Sequence, residues 1–236
     1  MRRHWLRWLV GTVVVLAAMA AAGPFIYIHF FNGSTPSALT LSPSASGSSS
    51  PATPAATTAA SRTVTGTWTA GSGSVVGYRV NEVLLGQNAT AVGRSTSVTG
   101  RLTIAGHSVT VASFSVPMAT VHSDKSQRDA QFDSRIMDVS QYPTGTFTLS
   151  SPIDLVPLPA VGVIRTYTAH GRLTLHGTTR AVTFPLTAER AGGKIKVSGD
   201  IPVLFSAYNI QNPSFAGFVT TQNHGLLEFL LVFTRS

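Results

Sequence analysis

Six separate stretches of the chain alternate between apolar and polar side chains with a period of two residues. This period is typical of strands that bury one face. In most stretches the polar positions are threonine or serine, so the outer face would be polar but only weakly charged. The pattern predicts an all-β antiparallel fold. The stretches cover residues 63–69, 98–104, 146–150, 167–176, 182–187 and 194–203.

The last stretch, Leu226–Phe233, is apolar on both faces except at Glu228. Such a strand would be an aggregation hazard at an open sheet edge, and closure of the sheet removes the edge. We therefore expect the last strand to pair with the first in a barrel of about eight strands. Further strands are predicted at Val75–Val80 and Val109–Val116.

Two segments depart from the alternation. Residues 123–141 carry mixed charge and a helix-like apolar spacing, which predicts one short helical crossover. Residues 207–223 are rich in asparagine, proline and glycine, which predicts a long loop.

Large apolar side chains fall on the predicted inner face of the barrel. A barrel of this size either holds one small ligand or is filled by side chains that meet in the middle. Alternation does not distinguish these two interpretations, so both stay open here. The inward positions are Trp68, Tyr78, Phe114, Phe147, Tyr167 and Phe184.

The N-terminal region contains Leu9–Phe31, a stretch of 23 residues without Asp, Glu, Lys or Arg. About 20 apolar residues are enough for a helix to span a bilayer, and preceding arginines are expected to stay in the cytoplasm. We predict that residues 1–33 are a cytoplasmic N-terminus and a single-pass anchor in the cell membrane, with the rest outside the cytoplasm. A signal peptide cleaved near Ala20–Ala22, giving a secreted domain, is the alternative.

Residues 34–61 form a linker in which 25 of 28 residues are Ser, Thr, Ala or Pro. So little apolar surface cannot offset the entropy of ordering the segment, which predicts a disordered spacer. Residues 62–236 are then expected to form one domain.

Charge and chemistry-bearing residues exclude several function classes. The net charge of +8 comes from basic residues without a Lys/Arg run interleaved with aromatics, so no nucleic-acid partner is expected. Cysteine is absent, and no histidine pair has the spacing of metal ligands, so neither a metal nor a cofactor is predicted. Ser123 lies between His122 and Asp124 but without a nucleophile elbow. No catalytic residue is predicted, and the chain is not expected to be an enzyme.

An ordered set of short motifs runs from residue 123 to residue 180. It comprises Ser123-Asp124, Arg128 to Phe132, Met137-Asp138, Tyr142-Pro143-Thr144 and Tyr167 to Arg180. The set resembles the YceI-like family of lipocalin-fold, polyisoprenoid-binding bacterial proteins. The resemblance implies an eight-stranded antiparallel lipocalin-like barrel that holds an isoprenoid or similar lipid and performs no catalysis.

The resemblance also implies which residues contact the lipid. Arg128 and Asp129 would lie in the crossover, where they either pair with each other or contact a headgroup. The segments 81–88 and 208–215 depart from the family pattern, although both are expected to border the ligand. A structural module of the cell envelope with a filled core is the alternative function, and a homodimer stays open. The candidate ligand-binding residues are Trp68, Tyr78, Phe114, Arg128, Phe132, Met137, Tyr142, Phe147, Tyr167 and Phe184.

Overall fold

The computed structural model describes residues 35–41, 64–84, 86–214 and 219–236. Twelve strands in these ranges belong to one antiparallel sheet. The strands are β1 (Gly66–Ala70), β2 (Val75–Leu84), β3 (Gln87–Ser95), β4 (Thr99–Ala105), β5 (Ser108–Pro117), β6 (Thr144–Leu149), β7 (Ile153–Asp154), β8 (Arg165–Leu175), β9 (Thr178–Ala191), β10 (Lys194–Leu204), β11 (Val219–Thr221) and β12 (His224–Arg235).

The sheet closes into a barrel of eight strands in the order β1-β4-β5-β6-β8-β9-β10-β12, after which β12 returns to β1. The closing pairs run from Trp68 with Arg235 to Ala70 with Phe233. The predicted closed antiparallel barrel, with its last strand paired to its first, is confirmed. Further along, β12 leaves β1 and pairs with β2, which in turn pairs with β3. One end of the barrel therefore carries the extra β2–β3 hairpin.

The crossover between β5 and β6 contains the predicted short helix. It begins with a 3-10 turn at Met118–Thr120. Helix α1 (Ser126–Gln131) follows and continues into a π-helical turn at Phe132–Ile136. The side chain of Phe132 stacks on Tyr78 of β2, with ring centroids 5.3 Å apart. This contact places the crossover over the end of the barrel that carries β2 and β3.

The predicted inner faces form the core. Leu173 and Ile201 are fully buried, and Phe184 retains only 2% of its exposed area. From Ala169 to Leu175 of β8, every second residue is buried while its neighbours are exposed or half-buried. On β10 the same alternation is interrupted at Ser198, an outward residue that is buried. The period-two pattern therefore identified the interior of β8 and most of that of β10.

Two parts of the chain differ from the prediction. Strand β3 was not predicted, because its inward residues Ala89, Ala91 and Gly93 are small and give no apolar alternation. The expected loop 207–223 overlaps a 3-10 turn at Phe205–Tyr208 and contains β11, which pairs with the end of β2.

The predicted membrane anchor, residues 9–31, lies outside the described residues. Within the described ranges, no helix has the length and apolar character needed to cross a bilayer. Residues 35–41, which belong to the predicted spacer, contact the outer face of the barrel instead of projecting away from it.

The small residue at position 93 is required by the ring of Tyr78. A Cβ atom on Gly93 would lie 2.3 Å from Cε1 of Tyr78, far inside van der Waals contact. We expect Gly93→Ala to lower the free energy of unfolding by about 1–3 kcal/mol, because the ring must move. The measurement is denaturant unfolding of the purified protein.

Gly71→Ala is the matched control, because the nearest atom to its added Cβ would be 3.8 Å away. We expect it to change the free energy of unfolding by less than about 0.5 kcal/mol. Equal effects of the two substitutions would contradict the packing of Tyr78 against β3.

Candidate functional site

Two cavities lie toward opposite ends of the described part of the barrel. The larger has a volume of about 460 Å³ and lies beneath the crossover, between α1 and the β2–β3 hairpin. The smaller has a volume of about 110 Å³ and lies toward the β4–β5 turn. Ligand sites in proteins have volumes of roughly 300–1,000 Å³, so only the larger cavity is of a suitable size.

The walls of the larger cavity are apolar. They are built from inward positions of β2, β5, β10 and β12, which converge there because alternate residues of each strand face the interior. The crossover adds apolar side chains from above. The wall residues are Val76, Tyr78, Val80, Leu84, Ala91, Val116, Met118, Val121, Phe132, Ile136, Met137, Leu175, Val203, Phe205, Ile210, Val219, Leu226 and Leu227.

Charged side chains border this cavity at the crossover end. Arg128 of α1 bridges to Glu82 of β2, with 3.4 Å between Nη2 and Oε1, and also pairs with Asp124. Nη2 of Arg135 donates to the backbone carbonyl of Pro213 at 3.2 Å. Lys125 lies beside them. Together these contacts tie the crossover to the barrel rim and place polar groups where the cavity opens.

The hydroxyl of Tyr78 lies in the most strongly perturbed environment of this site. Burial raises the pKa of Tyr78 to about 12, because the phenolate form would lose its hydration. The positive charge of Arg128 opposes this shift, whereas Asp129 and Glu82 add to it. The neutral phenol of Tyr78 presents a hydrogen-bonding group on a mostly apolar wall.

A second polar group on this wall is the side chain of Thr221. Its Oγ1 atom is buried and has no hydrogen-bond partner within the described part of the chain. Thr221 lies on β11, directly opposite Glu82 in register. A buried hydroxyl without a partner is costly, so this position favours a ligand that supplies one.

A layer of aromatic rings separates the two cavities. Phe114, Phe147, Phe184 and Phe229 form a closed ring of contacts with centroid separations of 5.4 to 5.9 Å. All four border the smaller cavity and none borders the larger. The far half of the barrel is therefore packed, and the half beneath the crossover is hollow.

The structure distributes the candidate ligand-binding residues over three environments. Tyr78, Arg128, Phe132 and Met137 line the larger cavity. The side chains on the packed side of the barrel, which line the smaller cavity, are Phe114, Phe147, Tyr167 and Phe184.

Trp68 and Tyr142 line neither of these cavities, which corrects their assignment to the pocket. Trp68 is buried in the wall, where its Nε1 atom donates to the carbonyl of Val64 at 2.9 Å. Tyr142 lies on the outside of the β8–β9 turn, with its ring 4.5 Å from that of His176.

The hypothesis that Arg128 and Asp129 pair with each other is wrong. Adjacent residues of a helix point in different directions, so the two side chains diverge. Asp129 instead accepts a hydrogen bond from the hydroxyl of Ser123 at 2.7 Å and lies 3.4 Å from Nδ1 of His122. His122 thus faces the carboxylate and not the hydroxyl, so Ser123 has no histidine base at this position.

The sequence analysis expected segments 81–88 and 208–215 to border the ligand, and residues of both line the larger cavity, but it named no individual wall residue in them. Glu82 and Leu84 continue the inward alternation of β2 beyond Val80, and this signal was available in the sequence. Ile210 and Val203 could not be assigned to the cavity from alternation, because their contribution depends on how the chain folds back after β10.

The raised pKa of Tyr78 gives a measurable pH dependence. The unfolded chain should ionise near the ordinary value of about 10, and the folded chain near 12. The stabilisation from the neutral buried form is therefore complete below about pH 10 and is lost as the pH rises to about 12. Ultraviolet absorbance of phenolate, compared between the protein and its Tyr78→Phe variant, measures this titration. A difference signal with its midpoint near 10 would contradict the buried hydroxyl.

Comparison with known proteins agrees with this architecture. The family model described as YceI-like domain matches residues 55–233. No curated protein matches the chain. A polyisoprenoid binding domain from Saccharophagus degradans, implicated in plant cell wall breakdown, is 16% identical, with a TM-score of 0.60 over 73% of this chain and 99% of that chain. BcnA of Burkholderia cenocepacia is 22% identical, with a TM-score of 0.51 over 66% of this chain and 95% of that chain. The chain belongs to the YceI-like family.

Proposed function

We propose that this domain binds an isoprenoid or similar amphiphilic lipid, with the tail in the larger cavity and the polar head at its rim. The observation that carries the proposal is a cavity of about 460 Å³ whose walls are apolar and whose charged residues gather at one end. Burial of an apolar tail contributes roughly 25 cal/mol per Å² of area removed from water. An amphiphile fits this division of polarity better than a uniformly polar or apolar ligand.

The rim supplies groups suited to a polar head. Lys125 and Arg135 border the opening and carry positive charge, and Thr221 offers a buried hydroxyl without a partner. Arg128 is already engaged by two carboxylates, so it is better placed to hold the crossover than to bind a headgroup. A phosphate or another oxygen-rich head would satisfy this set. The groups described around the cavity favour binding, and we propose that the domain binds its ligand without catalysis.

The similar domain from Saccharophagus degradans is a polyisoprenoid binding domain, which supports the same class of ligand. The alternative, a structural module of the cell envelope with a filled core, is favoured by the aromatic layer. That layer fills only the far half of the barrel. A failure of the larger cavity to take up lipid would therefore favour the alternative.

We also propose that the domain works outside the cytoplasm, held at the cell membrane by the stretch Leu9–Phe31. The support is the length of this stretch and the three arginines before it. Proteolytic cleavage near Ala20–Ala22, with release of a secreted domain, is the alternative outcome. Fractionation of cells followed by mass spectrometry of the protein's N-terminus separates the two.

Filling the larger cavity should abolish lipid binding. Val80 points into this cavity, so Val80→Phe places a ring where the tail would lie. We expect at least a tenfold weaker uptake of a fluorescent prenyl probe, which corresponds to about 1.4 kcal/mol. Organic extraction followed by mass spectrometry should show co-purifying lipid with the parent protein and less with the variant.

Val83→Phe is the matched control on the same strand. Val83 faces outward and is 38% exposed, so the added ring should remain in solvent. We expect probe uptake as in the parent protein. Lipid neither extracted from nor taken up by the parent protein would overturn the proposed function.

The aromatic layer should limit the length of the tail. Phe114→Ala opens the layer and joins the two cavities, whereas Phe233→Ala enlarges only the smaller one. Both changes remove a buried ring and should cost about 3–5 kcal/mol of stability. With prenyl probes of increasing length, we expect only Phe114→Ala to shift the preference toward longer chains. An identical length preference in the two variants would show that the layer does not end the site.

A further inference from the structure

Two residues on the outer face of the barrel are buried although their strands turn them away from the core. Glu228 of β12 is 1% exposed and Ser198 of β10 is 3% exposed. Asp200 and Lys194, which share the outer face of β10 with Ser198, are exposed as expected for a barrel surface. Something other than the barrel's own core must cover this patch.

The cover includes the segment Thr35–Leu41, which we call the strap. The carbonyl of Pro36 accepts a hydrogen bond from Nη2 of Arg79 at 2.7 Å. The carbonyl of Leu39 accepts one from the hydroxyl of Ser198 at 2.6 Å. Both acceptors are backbone groups, and Leu39 and Leu41 are the strap residues that are half-buried.

The patch beneath the strap contains a cluster of ion pairs around the buried Glu228. Glu228 accepts a hydrogen bond from Nε of Arg79 at 2.7 Å and a second one from Arg94. Gly77 lies between Arg94 and Glu228 in register, and a Cβ there would lie 3.0 Å from Cδ of Arg94. The missing side chain leaves room for the guanidinium to cross β2. Arg79 thus joins the buried carboxylate to the strap.

The strap has a defined direction along the barrel. Arg79 pairs in register with Leu226, which borders the larger cavity. Ser198 pairs with Leu230, further along β12 toward the smaller cavity. From Pro36 to Leu39 the chain therefore runs away from the lipid-binding end. The strap therefore begins on the part of the barrel surface nearer the larger cavity.

Only three residues separate the start of the strap from the apolar stretch Leu9–Phe31. Residues 32–34 join Phe31 to Thr35. At about 3.3–3.6 Å per residue, three residues reach roughly 10 Å. The remaining tract, residues 42–63, comes after the strap and returns to β1, so it does not lengthen the connection to the membrane.

We infer that the strap holds the mouth of the larger cavity against the lipid bilayer that the stretch Leu9–Phe31 enters. The inference rests on the proposed lipid binding and membrane anchoring, and adds an orientation to both. Lipid would pass between the bilayer and the cavity without the domain leaving the surface. Lys125 and Arg135 at the rim would face the headgroups, where anionic lipids attract basic side chains.

Site-specific labels in the full-length chain, reconstituted in liposomes with spin-labelled lipid headgroups, test this orientation. The chain has no cysteine, so single cysteines can be introduced without removing others. Ser126→Cys places a fluorophore on α1 at the mouth, and His107→Cys places one in the β4–β5 turn at the opposite end. We expect at least twofold stronger quenching at the mouth label.

Two insertions of the same flexible Gly/Ser segment distinguish the strap from a plain spacer. Placed between Ser34 and Thr35, a segment of about 20 residues adds a reach of roughly 25 Å and should abolish the difference in quenching. Placed between Ser50 and Pro51, after the strap, it should leave the difference unchanged. In a plain spacer the two insertions would act alike.

Equal quenching of the two labels in the parent protein, or equal effects of the two insertions, would overturn the inference. Loss of the protein from the liposomes by cleavage of its N-terminal stretch would overturn it as well. Lipid extraction from the same sample separates this result from the proposed function. Bound lipid with equal quenching refutes the orientation alone, whereas unequal quenching without bound or exchangeable lipid refutes the proposed function alone.

Discussion

Strand β12 is paired along both of its edges, and the rest of the structure depends on this pairing. One edge pairs continuously with β10, while the other is shared between β1 and β2. The pairing of β12 with β1 closes the barrel and fixes which side chains face inward. The pairing of β12 with β2 opens one end of the barrel, because β2 carries β3 with it. Within the described residues, β3 makes only one bridge on its far side, between Arg94 and His122. The crossover lies at this end and roofs the larger cavity.

The same strand explains a feature of the sequence that barrel closure alone does not. Closure accounts for the absence of an open edge, but it leaves the outer face of β12 in solvent. In the structure the outward Glu228 is buried with its arginine partners, and the strap lies over the adjoining positions. Strand β12 is therefore covered on its outer face around Glu228 as well as on its inner face by the core.

Periodicity predicted the fold because it reports which face of a strand is buried, and this held for β1, β4, β6, β8 and β9. It failed for β3, where the ring of Tyr78 occupies the space that apolar side chains of β3 would fill. It could not find the strap, whose hydrogen bonds use the carbonyls of Pro36 and Leu39 and so leave little trace in side-chain composition. Nor could it show where the barrel is hollow. Phe147 and Val203 follow the same alternation, but Phe147 lies in the packed half and Val203 in the hollow half.

The division of the barrel into two halves reconciles stability with an empty site. An apolar cavity forgoes the dispersion contacts that a packed core supplies, so a barrel that was hollow throughout would be weakly held. The aromatic layer concentrates those contacts in the far half. The hollow half is held from outside, by the ion pairs of Glu228 and by the contacts between Arg128 and Glu82. Occupation by an apolar tail would restore the missing contacts from within, which couples ligand binding to folding in the half where the mouth lies.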